Sequence, residues 1–109
     1  MESVHPVSAV VVDARGSVIA SERMDGAVFF TTDAARGKAL VSASLGAPSG
    51  SMTQLATSGV ADVLPGTPVM LQGALPIVRN KVTVGAVGCG GGSGQQDEDV
   101  ARAAIAALM

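Results

Sequence analysis

The chain has 109 residues, a net charge of −2, and a composition that is 48% hydrophobic but only 2% aromatic. That length gives one domain, residues 1–109, with a modest core built from Val, Ala, Leu, Ile and Met. The acidic balance argues against nucleic acid or an anionic membrane surface as partner, and no run of about 18 apolar residues is present to cross a bilayer.

Val7 to Val12 reads as a strand that is apolar on both faces and so is expected to be covered on both sides. Asp13-Ala14-Arg15-Gly16 then makes a tight turn, and Ser17 to Met24 alternates as the return strand of a hairpin. Asp25-Gly26 ends it. Ala27 to Phe30 is a connector holding both aromatic residues, Phe29 and Phe30. Thr31, Thr32 and Asp33 are cap candidates for an Ala-rich helix running to about Leu45, with Ala35, Ala39, Leu40 and Ala43 on its apolar stripe. Gly46 and Pro48 stop it. A short helix is expected from Met52 to about Thr57, because Ser51 and Gln54 have capping-box spacing.

Beyond a Pro65-Gly66 loop, Pro68 to Gln72 is expected to be a short strand and Ala74 to Val78 another. Arg79-Asn80 is the expected hairpin turn before Lys81 to Cys89, the most β-like segment. Gly85 and Gly88 inside that segment predict close backbone approach or a bulge. A last helix covers about Gln96 to Leu108, with Val100, Ala104 and Leu108 expected on its apolar face. This order predicts an antiparallel α+β domain.

The glycine-rich stretch VGCGGGSGQQDED (Val87 to Asp99) leads into that helix and admits two readings. One is a joint between strand and helix. The other is a site for a neutral or carboxylate ligand near Gly90 to Gly92. A phosphate cradle fits poorly: no Gly-Lys-Ser/Thr follows, and Asp97, Glu98 and Asp99 crowd the first helical turns. Ser93 and Gln96 also have capping-box spacing, which satisfies the helix N–H groups internally. Cys89 is the single cysteine, so no intramolecular disulfide forms, and with no signal segment visible a cytoplasmic location is expected. No histidine is near it in sequence to act as base, so a core-packing thiol is the simpler reading. Arg23 and Asp25 flank Met24 on one face of the strand end, and with Glu22 and Lys38 they make the richest polar group in the chain. They serve either turn and interface pairing or ligand contact. No cluster of metal-ligand spacing occurs.

Several phrases fit one family in order and spacing: VVDARG (Val11 to Gly16), ERMDGA (Glu22 to Ala27), AARGKAL (Ala34 to Leu40), GALPIV (Gly73 to Val78), VGAVG (Val84 to Gly88) and DEDVARAAIAAL (Asp97 to Leu108). The sequence resembles the GlcG/HbpS-like haem-binding family, which also forms the C-terminal domain of PduO-type proteins. The resemblance implies a profilin- or PAS-like domain: a central antiparallel sheet of about five strands with helices on its faces. It also implies oligomers and, for some members, haem as cofactor. Where that family shows a serine, Gly90 stands here, and Cys89 is new beside it. Members also carry a helix ahead of the first strand, whereas here that strand begins a few residues after Met1. An open apolar sheet face is therefore expected, closed by a second copy or by a full-length paralogous subunit.

On this resemblance the ligand site is expected at a subunit boundary near Arg23, Asp25, Lys38, Cys89, Gly90 and Gly91. His5 and Met24 are the candidate haem ligands. The alternative is a small catalytic or accessory subunit acting on an organic acid, with Arg23 anchoring the carboxylate and Asp25 as acid or base.

Overall fold

The computed structural model describes residues 6–51, 53, 59, 63, 64 and 66–108. Strands β1 (Ser8–Asp13) and β2 (Val18–Arg23) form the first hairpin, followed by helix α1 (Thr31–Leu45). A second hairpin, β3 (Ala74–Arg79) and β4 (Val82–Gly90), leads into helix α2 (Gly94–Leu108). The sheet order is β2-β1-β4-β3, antiparallel throughout. No helix among the described residues is long and apolar enough to cross a membrane.

The period-2 alternation of β1 and β4 sorts the core into two layers. Val10, Val12 and Ala86 point to one face and pack under Ala35, Ala39 and Ala43 of α1. Val87 and Cys89 point to the other and meet Ala101 of α2 together with Ile77. α1 can lie this close because β4 is glycine-rich. A Cβ on Gly88 would fall on the carbonyl oxygen of Ala35 and beside the amide of Ala39. On Gly85 it would fall on the carbonyl oxygen of Val12 in the neighbouring strand. The close approach expected at both glycines is therefore real, and the bulge lies between them and the turn: Ile77 pairs with Gly85 and Val78 with Thr83, leaving Val84 as the extra residue.

Five expectations need correction. The described sheet has four strands, not about five. Pro68 to Gln72 is not a strand: Val69 N–H donates to Gly37 O of α1, and Leu71 O accepts from the Ser49 hydroxyl, so this backbone bonds to neighbours outside any ladder. The second hairpin turns at Asn80-Lys81, both at positive φ, with Arg79 paired to Val82. Phe30 occupies the N-cap of α1 without a side-chain bond, because Thr31 and Thr32 direct their hydroxyls to Val28 O and Ser8 instead. On α2 the inward stripe is Asp97, Ala101, Ala104 and Ile105, while Val100 and Leu108 are exposed. The short helix expected over Met52 to Thr57 lies largely outside the described residues.

Coverage of β1 is unequal. Its α1 face is fully buried, whereas Ala9 and Val11 on the other face are half-buried, and every residue of β2 is exposed. α2 roofs β3 and β4, leaving the β1–β2 side of that face open.

Gly88→Ala forces Cβ into helix backbone that cannot yield like a flexible side chain. Thermal unfolding should show a midpoint lower by roughly 10 °C, the scale of an overpacking cost near 2 kcal/mol. Ser44→Ala, on the exposed side of α1, should leave the midpoint unchanged.

Candidate functional site

The strand register brings one end of the sheet into focus. Ser8 opens β1 opposite both Arg23, the last residue of β2, and Gly90, the last of β4. α1 starts beside the same end, since a Cβ on Gly90 would lie 2.8 Å from Thr31 O. α2 starts there too, four residues after Gly90. The sheet end thus gathers the Arg23 to Ala27 turn, the Gly90 to Gly92 turn and both helix N-termini.

The two turns meet at Pro6. In the first, Ala27 N–H donates to Met24 O at 3.0 Å and Gly26 takes φ 91°, with the Pro6 ring 3.4 Å from where a Cβ would stand. In the second, Gly91 takes φ 115°, and a Cβ there would sit 2.8 Å from Pro6 O. Both positions favour glycine for backbone conformation, and Gly91 for space as well. Met24 closes the arrangement: its N–H donates to Val7 O, and its Sδ accepts from Val7 N–H at 3.4 Å. Arg23 Nη1 donates to Ala27 O at 3.1 Å, tying the turn to the strand.

Beneath this surface lies a buried ion pair. Lys38 of α1 donates from Nζ to Cys89 O at 3.1 Å and to Asp97 Oδ2 of α2 at 3.2 Å. Asp97 Oδ1 accepts from Gly92 N–H at 2.9 Å. The lysine passes over Gly73, where a Cβ would come within 2.7 Å of Nζ. The capping box is formed as its spacing predicts: Gln96 N–H donates to Ser93 Oγ, and Ser93 N–H donates to Gln96 Oε1. The N–H groups of Ser93, Gln96 and Asp97 at the start of α2 are therefore satisfied by Ser93 and Gln96 themselves.

The six residues singled out from the sequence all lie at this end, in two tiers. Arg23, Asp25 and Gly91 are at the surface; Lys38, Cys89 and Gly90 are buried below it. Lys38 is not grouped with Glu22, Arg23 and Asp25 as expected but paired with Asp97, and no ion pair joins Arg23 to Asp25 among the described residues. Asp97 is the residue the sequence reading missed as a partner. Its signal was the inward stripe it shares with Ala101. Met24 is partly exposed at the rim; His5 lies outside the described residues. The connector is unusual: Val28, Phe29 and Phe30 are 59%, 78% and 63% exposed, so both aromatic side chains of the chain face outward at this end. Two grooves beside α1 are lined, among the described residues, by neither Arg23 nor Asp25.

Burial pushes the Cys89 thiol from 9.0 up to about 11; the Asp97 carboxylate adds to this and Lys38 opposes it. The thiol is thus protonated near neutrality and no nucleophile. A raised folded-state pKa contributes stability that is complete below about pH 9 and is lost as pH rises through about 11. Urea midpoints of Cys89→Ala across that window should fall less steeply than those of the parent chain. Removing the lysine tests the pair itself. Lys38→Met leaves Asp97 buried with no cation, and urea unfolding should show a loss of about 3–5 kcal/mol, much of it restored in Lys38→Met/Asp97→Leu.

A family model described as haem-degrading protein HbpS-like matches residues 1–106. In sequence the chain is 30% identical over 108 residues to the corrinoid adenosyltransferase PduO of Salmonella typhimurium, covering 94% of this chain and 32% of that one. It thus spans about a third of PduO. In structure it is similar to a double mutant of Streptomyces reticuli HbpS, with a TM-score of 0.88 and 35% identity over 96% of this chain and 73% of that one. It is also similar to PduOC solved in complex with haem, with a TM-score of 0.83 and 29% identity over 94% of this chain and 78% of that one. The family model spans nearly the full length, and the chain belongs to the HbpS-like family.

Proposed function

We propose that this domain binds haem or a related tetrapyrrole at the sheet end, in an oligomer whose second copy, or a paralogous subunit, covers the open face of β1 and β2. One observation carries the reading: a relative that shares this fold over 94% of the chain has been solved as a haem complex.

The residues present fit such a group as an open platform. A tetrapyrrole needs apolar surface for its ring, cations for its carboxylates and a donor for its metal. Phe29, Phe30 and Val28 offer apolar surface that a lone domain would not ordinarily leave bare. Arg23 stands beside them with a guanidinium suited to a carboxylate. Met24 carries the thioether at the rim, and His5 directly precedes Pro6 in sequence, against which both turns pack. Asp25 and Gly91 border the platform, with Lys38, Cys89 and Gly90 supporting it from below. Bound iron would supply ligand exchange and one-electron chemistry; the chain's own residues hold and orient the ring. The half-covered face of β1 and the exposed β2 are the surfaces a second subunit would close.

Titration with haem should give a Soret band saturating at one equivalent, weakened by Arg23→Ala and shifted or lost in His5→Ala or Met24→Ala. Light scattering on the same sample should show an oligomer. No spectral change at equimolar haem would overturn the reading, and a stable monomer at micromolar concentration would remove the covering subunit.

A further inference from the structure

Two grooves meet on the outer side of α1, away from the platform residues Arg23 and Met24. The larger, about 540 Å³, runs between α1 and residues 67–71. Phe30, Ala34, Leu40, Val69 and Leu71 make it mainly apolar. Its floor is close-packed at Gly37, where a Cβ would fall 2.6 Å from Thr67 O. The smaller, about 300 Å³, lies between the β1–β2 turn and α1, lined by Arg15, Ser17, Val18, Arg36, Leu40 and Gly66. Arg36 and Leu40 belong to both, so the grooves are continuous across one turn of helix.

The charges are arranged along this path. Arg15 and Arg36 converge on the smaller groove, and neither is in an ion pair with any described residue. The acid nearest Arg15 in the turn, Asp13, has its Oδ1 occupied by the N–H groups of Arg15 and Ser17. The other acid, Asp33, lines only the larger groove, about one helical turn toward the N-terminus of α1 from Arg36. A ligand here meets the guanidiniums of Arg15 and Arg36 at the smaller groove, an apolar trough beyond them, and the Asp33 carboxylate on the wall of the larger groove. Both volumes fall within the range of small-molecule sites.

We propose that this trough binds an amphipathic carboxylate, with its apolar body along Val69 and Leu71 and its head between Arg15 and Arg36. Guanidinium forks match a carboxylate through paired hydrogen bonds, which fixes the head. Asp33, which lines only the larger groove, disfavours the reverse placement of the head. The trough shares only Phe30, at its border, with the platform proposed for haem, and among its described lining residues none carries an imidazole, thioether, thiol or phenol to ligate iron. The proposal does not depend on haem binding.

Octanoate, 1-octanol and inorganic phosphate are the probes, followed by amide chemical shifts in two-dimensional NMR of the whole chain. Octanoate should shift signals of α1, the β1–β2 turn and residues 67–71. Arg15→Ala/Arg36→Ala, both exposed and so compatible with folding, should weaken it by roughly tenfold or more, the scale of lost charge-assisted bonds. Leu71→Ser should weaken it as well. The parent amide spectrum, retained in each variant, certifies the fold. Octanol binding as tightly as octanoate would overturn the role of the arginines. Phosphate binding as tightly would overturn the role of the trough. Haem displacing octanoate with the same arginine dependence would overturn the claim of a separate site, and absence of any shift would overturn the proposal outright.

Discussion

The Lys38–Asp97 pair is the constraint on which the sheet end depends. α1 and α2 lie on opposite faces of the sheet, and this ion pair joins them around the end of β4. It draws in three further groups: Cys89 O on the lysine, Gly92 N–H on the aspartate, and Gly73 as the gap through which the ammonium passes. Buried charges cost free energy to desolvate, so such a pair is weak as a source of net stability. What it fixes is register. α2 can begin in only one place relative to α1, and the Gly90 to Gly92 turn is held in one conformation between them.

The same end shows why a core of small residues suits this fold. Ala35, Ala39 and Gly88 let α1 sit directly on β4, so little space remains between helix and sheet for a ring. The two aromatic side chains are correspondingly outside, on the connector before α1. In a domain of this size, bulky apolar groups left on the surface mark where something else is to be bound. Close packing within and exposed phenyl groups without are two consequences of one choice of residue size.

The sheet, both hairpins and both helices were legible in the sequence because each depends on local signals: alternation in β1 and β4, alanine-rich helical stripes, Gly16 and Gly46 at the turns. The glycine-to-helix joint was legible too, since Ser93 and Gln96 need only each other. What could not be read depends on contacts across the chain. Pro68 to Gln72 has the composition of a strand, but its hydrogen bonds go to Gly37 and Ser49, far away in sequence. The facing of α2 was misjudged because Asp97 was read only as one of three acids in the first helical turns, when its partner is a lysine 59 residues earlier. Lys38 was grouped in the sequence with Glu22, Arg23 and Asp25, since nothing local points from it to Asp97. At Asn80-Lys81 the turn slid by one residue, since Arg79 and Lys81 are equally plausible neighbours for an asparagine.

The two tiers at the sheet end bear on what kind of chemistry belongs there. Lys38 is engaged by two acceptors, and the Cys89 thiol is buried, protonated and opposed by a carboxylate. Neither is placed to attack a substrate. The groups that reach the surface are a guanidinium, a carboxylate, a thioether and two phenyl rings. Such a set is suited to recognising and orienting a molecule through charge and stacking, the role the proposed function gives it. Under the proposed function the polar residues that give the family phrase its character divide by role: the buried ones would shape the platform, and the exposed ones would meet the ligand.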